Sequence, residues 1–164
     1  MDAFVLALLT ATLLCSLITG FLIAFAIVVM PGIGRLKDAE FIRAFQGIDG
    51  VIQDGHPVFG FIWLGSILAV TATMAMGLGI PDEQTRLVTV VAAGIYLAGV
   101  LLPTFRVNVP LNNWFQSLDI EEMDPDALAA ARNRFEAKWN RWNVVRTVAS
   151  GVASGQLLWV LRIV

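Results

Sequence analysis

Charge is scarce in this chain, and so are the side chains that usually carry metal and redox chemistry. Only 15% of the 164 residues are charged, where a soluble domain carries about a quarter. One histidine, His56, and one cysteine, Cys15, give no zinc, haem or iron–sulfur spacing. A lone cysteine also allows no internal disulfide. Asp49, Asp54 and His56 would need further ligands to hold a metal, so no metal and no cofactor are expected. There is no phosphate loop, dinucleotide fingerprint or serine-nucleophile elbow. The net charge of −2 argues against nucleic acid, which needs a basic face.

What is present is apolar. Hydrophobic residues make up 57% of the chain, with a mean hydropathy of +0.75. Four segments have the roughly 20 apolar residues that cross a bilayer: about 3–30, 57–80, 87–107 and 143–162. The expected architecture is all-α, a four-helix bundle forming one integral membrane domain over 1–164, with the lipid bilayer as its first partner. No charge lies between Asp2 and Arg35. The start, Met-Asp-Ala, has no basic residue and the apolar run is long, so the first segment reads as a retained helix and not a signal peptide.

Nine of the eleven Lys and Arg residues fall in two loop regions. Arg35, Lys37 and Arg43 lie between the first two spans, and six more lie between Arg106 and Arg146. The opposite side holds only Arg86 and Arg162. The positive-inside rule then puts both loops in the cytoplasm and both termini outside it, in a bacterial inner membrane. Residues 38–52 repeat apolar side chains at Phe41, Phe45, Ile48 and Ile52, with Asp38, Glu40, Arg43 and Asp49 on the other face. That pattern predicts an amphipathic helix at the interface or folded over the bundle mouth. The sequence "DPDALAAARNRF" predicts the last helix: Asp124 as N-cap, Pro125 at the first helical position, and no breaker before Gly151. Running to about 162, it would measure roughly 57 Å, long enough to extend into the cytoplasm. Two small-residue features are expected to pack against neighbours: Thr12, Ser16 and Thr19 in the first span, and Gly151 with Gly155 in the last.

Two polar clusters interrupt this pattern. Nineteen uncharged residues, Leu87 to Phe105, lead into "VNVPLNNWFQ", where Asn108 and Asn112 flank Pro110. Downstream, "KWNRWNVVR" opens the last apolar run. At about 100° per residue, Trp139, Trp142, Asn143 and Arg146 share one face of the last helix. An inward arginine requires a partner, here Asp49, Asp54, Asp119, Glu121, Glu122 or the anion of a ligand. The plainer readings are an aromatic belt for the tryptophans, snorkelling for Arg146, and backbone satisfaction around Pro110 for the asparagines. Their convergence at one end of the bundle favours a single pocket. His56, whose unperturbed pKa of about 6.5 suits general base work, starts the second span.

The runs "VVMPGIGRL", "FIRAFQGIDGVIQDGHPVF", "NVPLNNWF" and "WNRWNVVRTVAS" together resemble the anthrone oxygenase-like family of small four-helix membrane proteins. Asn108-x-Pro110-x-Asn112 and Trp142-Asn143-x-x-Arg146 are the most specific pieces. The resemblance implies a cofactor-independent oxygenase acting on a lipophilic aromatic ligand of anthrone or hydroquinone type. It further implies a substrate stacked on Trp139 or Trp142, a proton removed by His56 or Asp49, and an enolate oxygen held by Asn108, Asn112 and Arg146, with Asn143 beside them. The alternative is a non-enzymatic membrane protein that binds a small hydrophobic ligand or a partner subunit. A transporter fits less well, because four helices would have to oligomerise and no ring of charge is present; a homo-oligomer stays open. An enzyme should enclose a cavity between the third and fourth spans and the 38–56 segment.

Overall fold

A computed structural model describes residues 2–164. Among them the secondary structure is helical, with no strand. The helices are α1 (Ala3–Ile33), α2 (Asp38–Gln53), α3 (Pro57–Gly77), α4 (Glu83–Gln116) and α5 (Pro125–Ile163), with a short 3-10 turn at Ile120–Glu122. All but α2 are long and apolar enough to cross a membrane. Helix α1 packs on α3 and α5, and α4 closes the ring between those two.

Local chemistry sets the helix starts. Asp2, Asp82 and Asp124 each accept a hydrogen bond from a backbone N–H of the first turn, of Phe4, Thr85 and Ala127 respectively. Such caps satisfy donors that the helix itself leaves orphaned. Pro57 and Pro125 occupy the first turns of α3 and α5, where a missing N–H does no harm. Gly55 before α3 has φ +80°, a left-handed conformation that suits glycine.

Three prolines lie inside helices, and none ends its helix. The N–H of Met30 bonds to the carbonyl of Phe25, that of Leu102 to Leu97, and that of Val109 to Thr104. Each is a five-residue π-type bond, and each immediately precedes a proline: Pro31, Pro103 or Pro110. A proline ring collides with the carbonyl four residues back and cannot bond to it. Widening the preceding turn by one residue moves that carbonyl aside. Hence α1 continues to Ile33, past the expected end near residue 30, and α4 continues to Gln116, past 107.

The interior has two cores. One, between the spanning helices, includes Leu8, Ile18, Val70, Tyr96, Val100 and Leu157. The other is aromatic and joins α2 to the end of α4 and the first half of α5 through Phe41, Phe45, Phe115, Phe135 and Trp139. Phe115 and Phe135 stack there with ring centroids 3.9 Å apart. Helix α2 therefore lies folded against the bundle end, burying Phe41, Ile42 and Phe45. Arg132 of α5 ties down the connection between α1 and α2, donating to the carbonyls of Gly34 (2.7 Å) and Leu36 (2.8 Å) and to Asp38 (3.1 Å). Outside, Leu13, Phe61, Leu68, Leu87 and Val148 face outward at more than half exposure.

Two packing expectations need correction. Thr12 is buried, and Thr19 bonds to Ser150 (2.7 Å) and Ser154 (3.1 Å), but Ser16 is exposed. It sits one residue, about 100°, round the helix from fully buried Cys15. Nor is Gly155 a packing site: a methyl group there would meet nothing within 4 Å. The close approach occurs at Gly99 instead, where an added Cβ would lie 2.5 Å from that of Ala149.

Candidate functional site

At the seam between the two cores lies a cavity of about 310 Å³, at the lower end of the roughly 300–1,000 Å³ usual for small-molecule sites. Its walls are mostly apolar and aromatic, including Phe21, Phe25, Phe45, Phe59, Trp63 and Trp139. The polar groups that reach it are few: Asp49, Thr104, Asn108, Asn112, Asn143 and Arg146.

Helix α4 supplies Thr104, Asn108 and Asn112 at four-residue spacing, so all three share one helical face. The π-turn before Pro110 begins at Thr104 and ends at Asn108; such turns often mark functional sites. Helix α5 supplies Trp139, Asn143 and Arg146, and α2 supplies Asp49. All of these except Asn112 are 7% exposed or less.

The three asparagines do different work. Asn112 donates to Asp49 Oδ1 (2.7 Å) and accepts from the indole N–H of Trp139 (2.8 Å). Asn143 donates to the Leu22 carbonyl (3.2 Å) and accepts from Arg146 (3.0 Å). Both amides are occupied by protein groups and hold other side chains in place. The Asn108 amide has no partner at either its nitrogen or its oxygen, although both are buried. Buried polar atoms are almost always paired, and the Asn108 amide, which lines the cavity, is an exception.

Arg146 is similarly incomplete. It donates to Thr104 Oγ1 (3.2 Å) and Asn143 Oδ1 (3.0 Å), and its guanidinium lies 5.7 Å from the Trp139 ring centroid. Its Nε has no partner. Among the described residues no carboxylate oxygen comes within 4.0 Å of it. Of the proposed partners, Glu121 pairs with exposed Arg43, Asp119 caps the 3-10 turn and Asp54 is exposed. Asp49 is buried but faces amides: Asn112 at Oδ1, with Gln53 (2.6 Å) and Gln116 (3.2 Å) at Oδ2. One cavity thus contains a cation and an anion that form no direct ion pair.

His56 and Trp142 stand apart. His56 is the N-cap residue of α3 and makes no side-chain cap bond; it is exposed and borders a separate open groove. Trp142 is half-buried on the edge of α5, outside the cavity lining. Thr104, Gln53 and Gln116 were not singled out from the sequence, though each lies four residues from a site residue: Asn108, Asp49 and Asn112. Among the described residues no cluster of three His, Cys, Asp or Glu side chains occurs.

An all-helical bundle with four membrane-length helices is the architecture of a membrane protein, and its largely apolar cavity with a few charged and amide groups is the candidate site. The anthrone oxygenase family model matches residues 50–155, which include Asn108, Asn112, Trp139 and Arg146, and the chain belongs to that family. No curated protein and no solved structure matches it.

Proposed function

We propose that the chain is an integral membrane oxygenase that converts a flat lipophilic aromatic ketone of anthrone type to the quinone, using dioxygen and no bound cofactor. The observation that carries this reading is Arg146, in no direct ion pair, beside the unpaired Asn108 amide in an aromatic cavity. Preorganised donors in a dry site are worth most where negative charge develops during reaction. Removing a proton from the ring methylene sends charge to the conjugated carbonyl oxygen, and Arg146 with Asn108 receives it there. Trp139 and the phenylalanines offer faces for stacking.

Asp49 is the base. It borders the cavity, whereas His56 does not. Its three amide donors occupy three of the roughly four lone-pair positions of a carboxylate, leaving one for the substrate proton. The carbanion then gives electrons to dioxygen and forms a carbon–oxygen bond. Loss of the second methylene proton with cleavage of the oxygen–oxygen bond yields a quinone and one water. Methylene plus dioxygen becomes carbonyl plus water, so no external reductant is needed.

The nine-to-two distribution of Lys and Arg supports a bacterial inner-membrane protein with both termini outside the cytoplasm. The cavity then sits toward the cytoplasmic side, under α2, which covers that end at the interface. The test is turnover of anthrone under ¹⁸O₂ by the purified protein. One labelled oxygen per quinone is the expected result; a product with no label, or no product, refutes the reading.

A further inference from the structure

Helix α2 covers the cavity on one side, and exposed Gly60, Phe105 and Val109 line a part-open side between α3 and α4. Helix α2 packs on α4, α5 and the end of α1 and leaves a gap toward the middle of α1 and the start of α3. An open, largely apolar groove of about 700 Å³ fills that gap. Four residues, Phe21, Phe25, Ile52 and Phe59, line both the groove and the inner cavity, so the two spaces share one wall. That wall carries four apolar side chains. Phe59 touches Phe21 (centroids 5.1 Å apart) and stacks on Trp63 (6.4 Å, 7°), with Ile52 opposite on α2. The four are apolar and make no side-chain hydrogen bond or ion pair, so only packing holds the wall shut.

We infer that the α2–α3 groove is the lateral passage by which a lipophilic aromatic ligand moves between the bilayer and the cavity, with Phe59 and Ile52 as its gate. The ligand class rests on the proposed function; the passage rests on the shared wall. His56 and Arg43 border the outer groove and not the cavity, so they flank the outer mouth.

Gly47 tests the passage without touching the site. It lines the groove, is absent from the cavity wall, and an added Cβ there meets nothing within 4 Å. Gly50, three residues along the same helix, also has open space but does not line the groove. The probe is anthraquinone, read by quenching of tryptophan fluorescence in stopped-flow with detergent-purified protein. Gly47→Phe should slow association and dissociation by the same factor, tenfold or more, leaving Kd unchanged, while Gly50→Phe matches wild type. Phe59→Ala should speed both. An unchanged association rate in Gly47→Phe, or equal slowing by Gly50→Phe, overturns the passage. Absence of quenching in wild type overturns it together with the ligand class. Binding slowed as expected, without oxygen uptake on anthrone, supports the passage while refuting the oxygenase.

Discussion

Replacing Arg146 with methionine should make the protein more stable and inactive. Burying an ion costs several kcal/mol even after relaxation, and Arg146 is 7% exposed with no carboxylate oxygen within 4.0 Å. Its bonds to Asn143 and Thr104 and its place over Trp139 offset part of that cost without neutralising the charge. Methionine retains most of the apolar stem. The Thr104 hydroxyl keeps its bond to the Val100 carbonyl (2.7 Å), but Asn143 Oδ1 loses its donor, at about 1–3 kcal/mol. Exchanging even paired buried ions for apolar residues is often stabilising by about 1–4 kcal/mol, so after the Asn143 loss a net gain of up to about 3 kcal/mol is expected. For a chain of this length that is a rise in Tm of up to roughly 9 °C, read by circular dichroism in detergent. A methionine variant less stable than wild type by more than about 1 kcal/mol would refute the reasoning and make Arg146 a structural residue.

Four further outcomes follow from the geometry. Asn112→Leu removes a donor from Asp49 and leaves the Trp139 N–H unpaired; a loss of about 3 kcal/mol in denaturant unfolding is expected, and a loss under 1 kcal/mol would contradict the network. Gly99→Ala should cost about 1–3 kcal/mol through overpacking against Ala149. Gly155→Ala, with open space around it, should gain up to about 1 kcal/mol in helix propensity, and the same unfolding curves compare the two. The Asp82 carboxylate is held below its ordinary pKa by the Thr85 hydroxyl and backbone N–H. A depressed folded pKa contributes stability above the unfolded value of about 4, lost as pH falls through the lower folded value. The stability gap between wild type and Asp82→Asn should therefore shrink below pH of about 4, and a gap that widens there would contradict the cap.

Much of the scaffold is legible because the spans are long and their caps are local. Asp124-Pro125 announces α5, and the apolar runs announce the rest. The inward set Trp139, Asn143 and Arg146 follows from helical periodicity alone, but Trp142 sits at the edge of that face, and periodicity cannot say where the face ends. The spans expected to end near residues 30 and 107 run on because the sequence does not reveal that a wider turn before Pro31 and before Pro110 relieves the clash. Asp49 reaches the cavity only through the docking of α2, a tertiary event fixed by Phe41, Phe45 and their aromatic partners. The Gly55 turn and the start of α3 carry His56 away from that cavity, seven residues along the chain from Asp49.

The central claim is that Arg146 and Asn108 stabilise an oxyanion during oxygenation. The most direct measurement is the initial rate of dioxygen uptake on anthrone by the detergent-purified wild type beside Arg146→Met and Asn108→Leu, each first shown to be folded. The account predicts uptake of one dioxygen per anthrone by wild type and a loss of at least a hundredfold in kcat for Arg146→Met, since removing one oxyanion donor costs about 10²–10³. Wild-type rates in both variants, or no uptake by wild type, would contradict it.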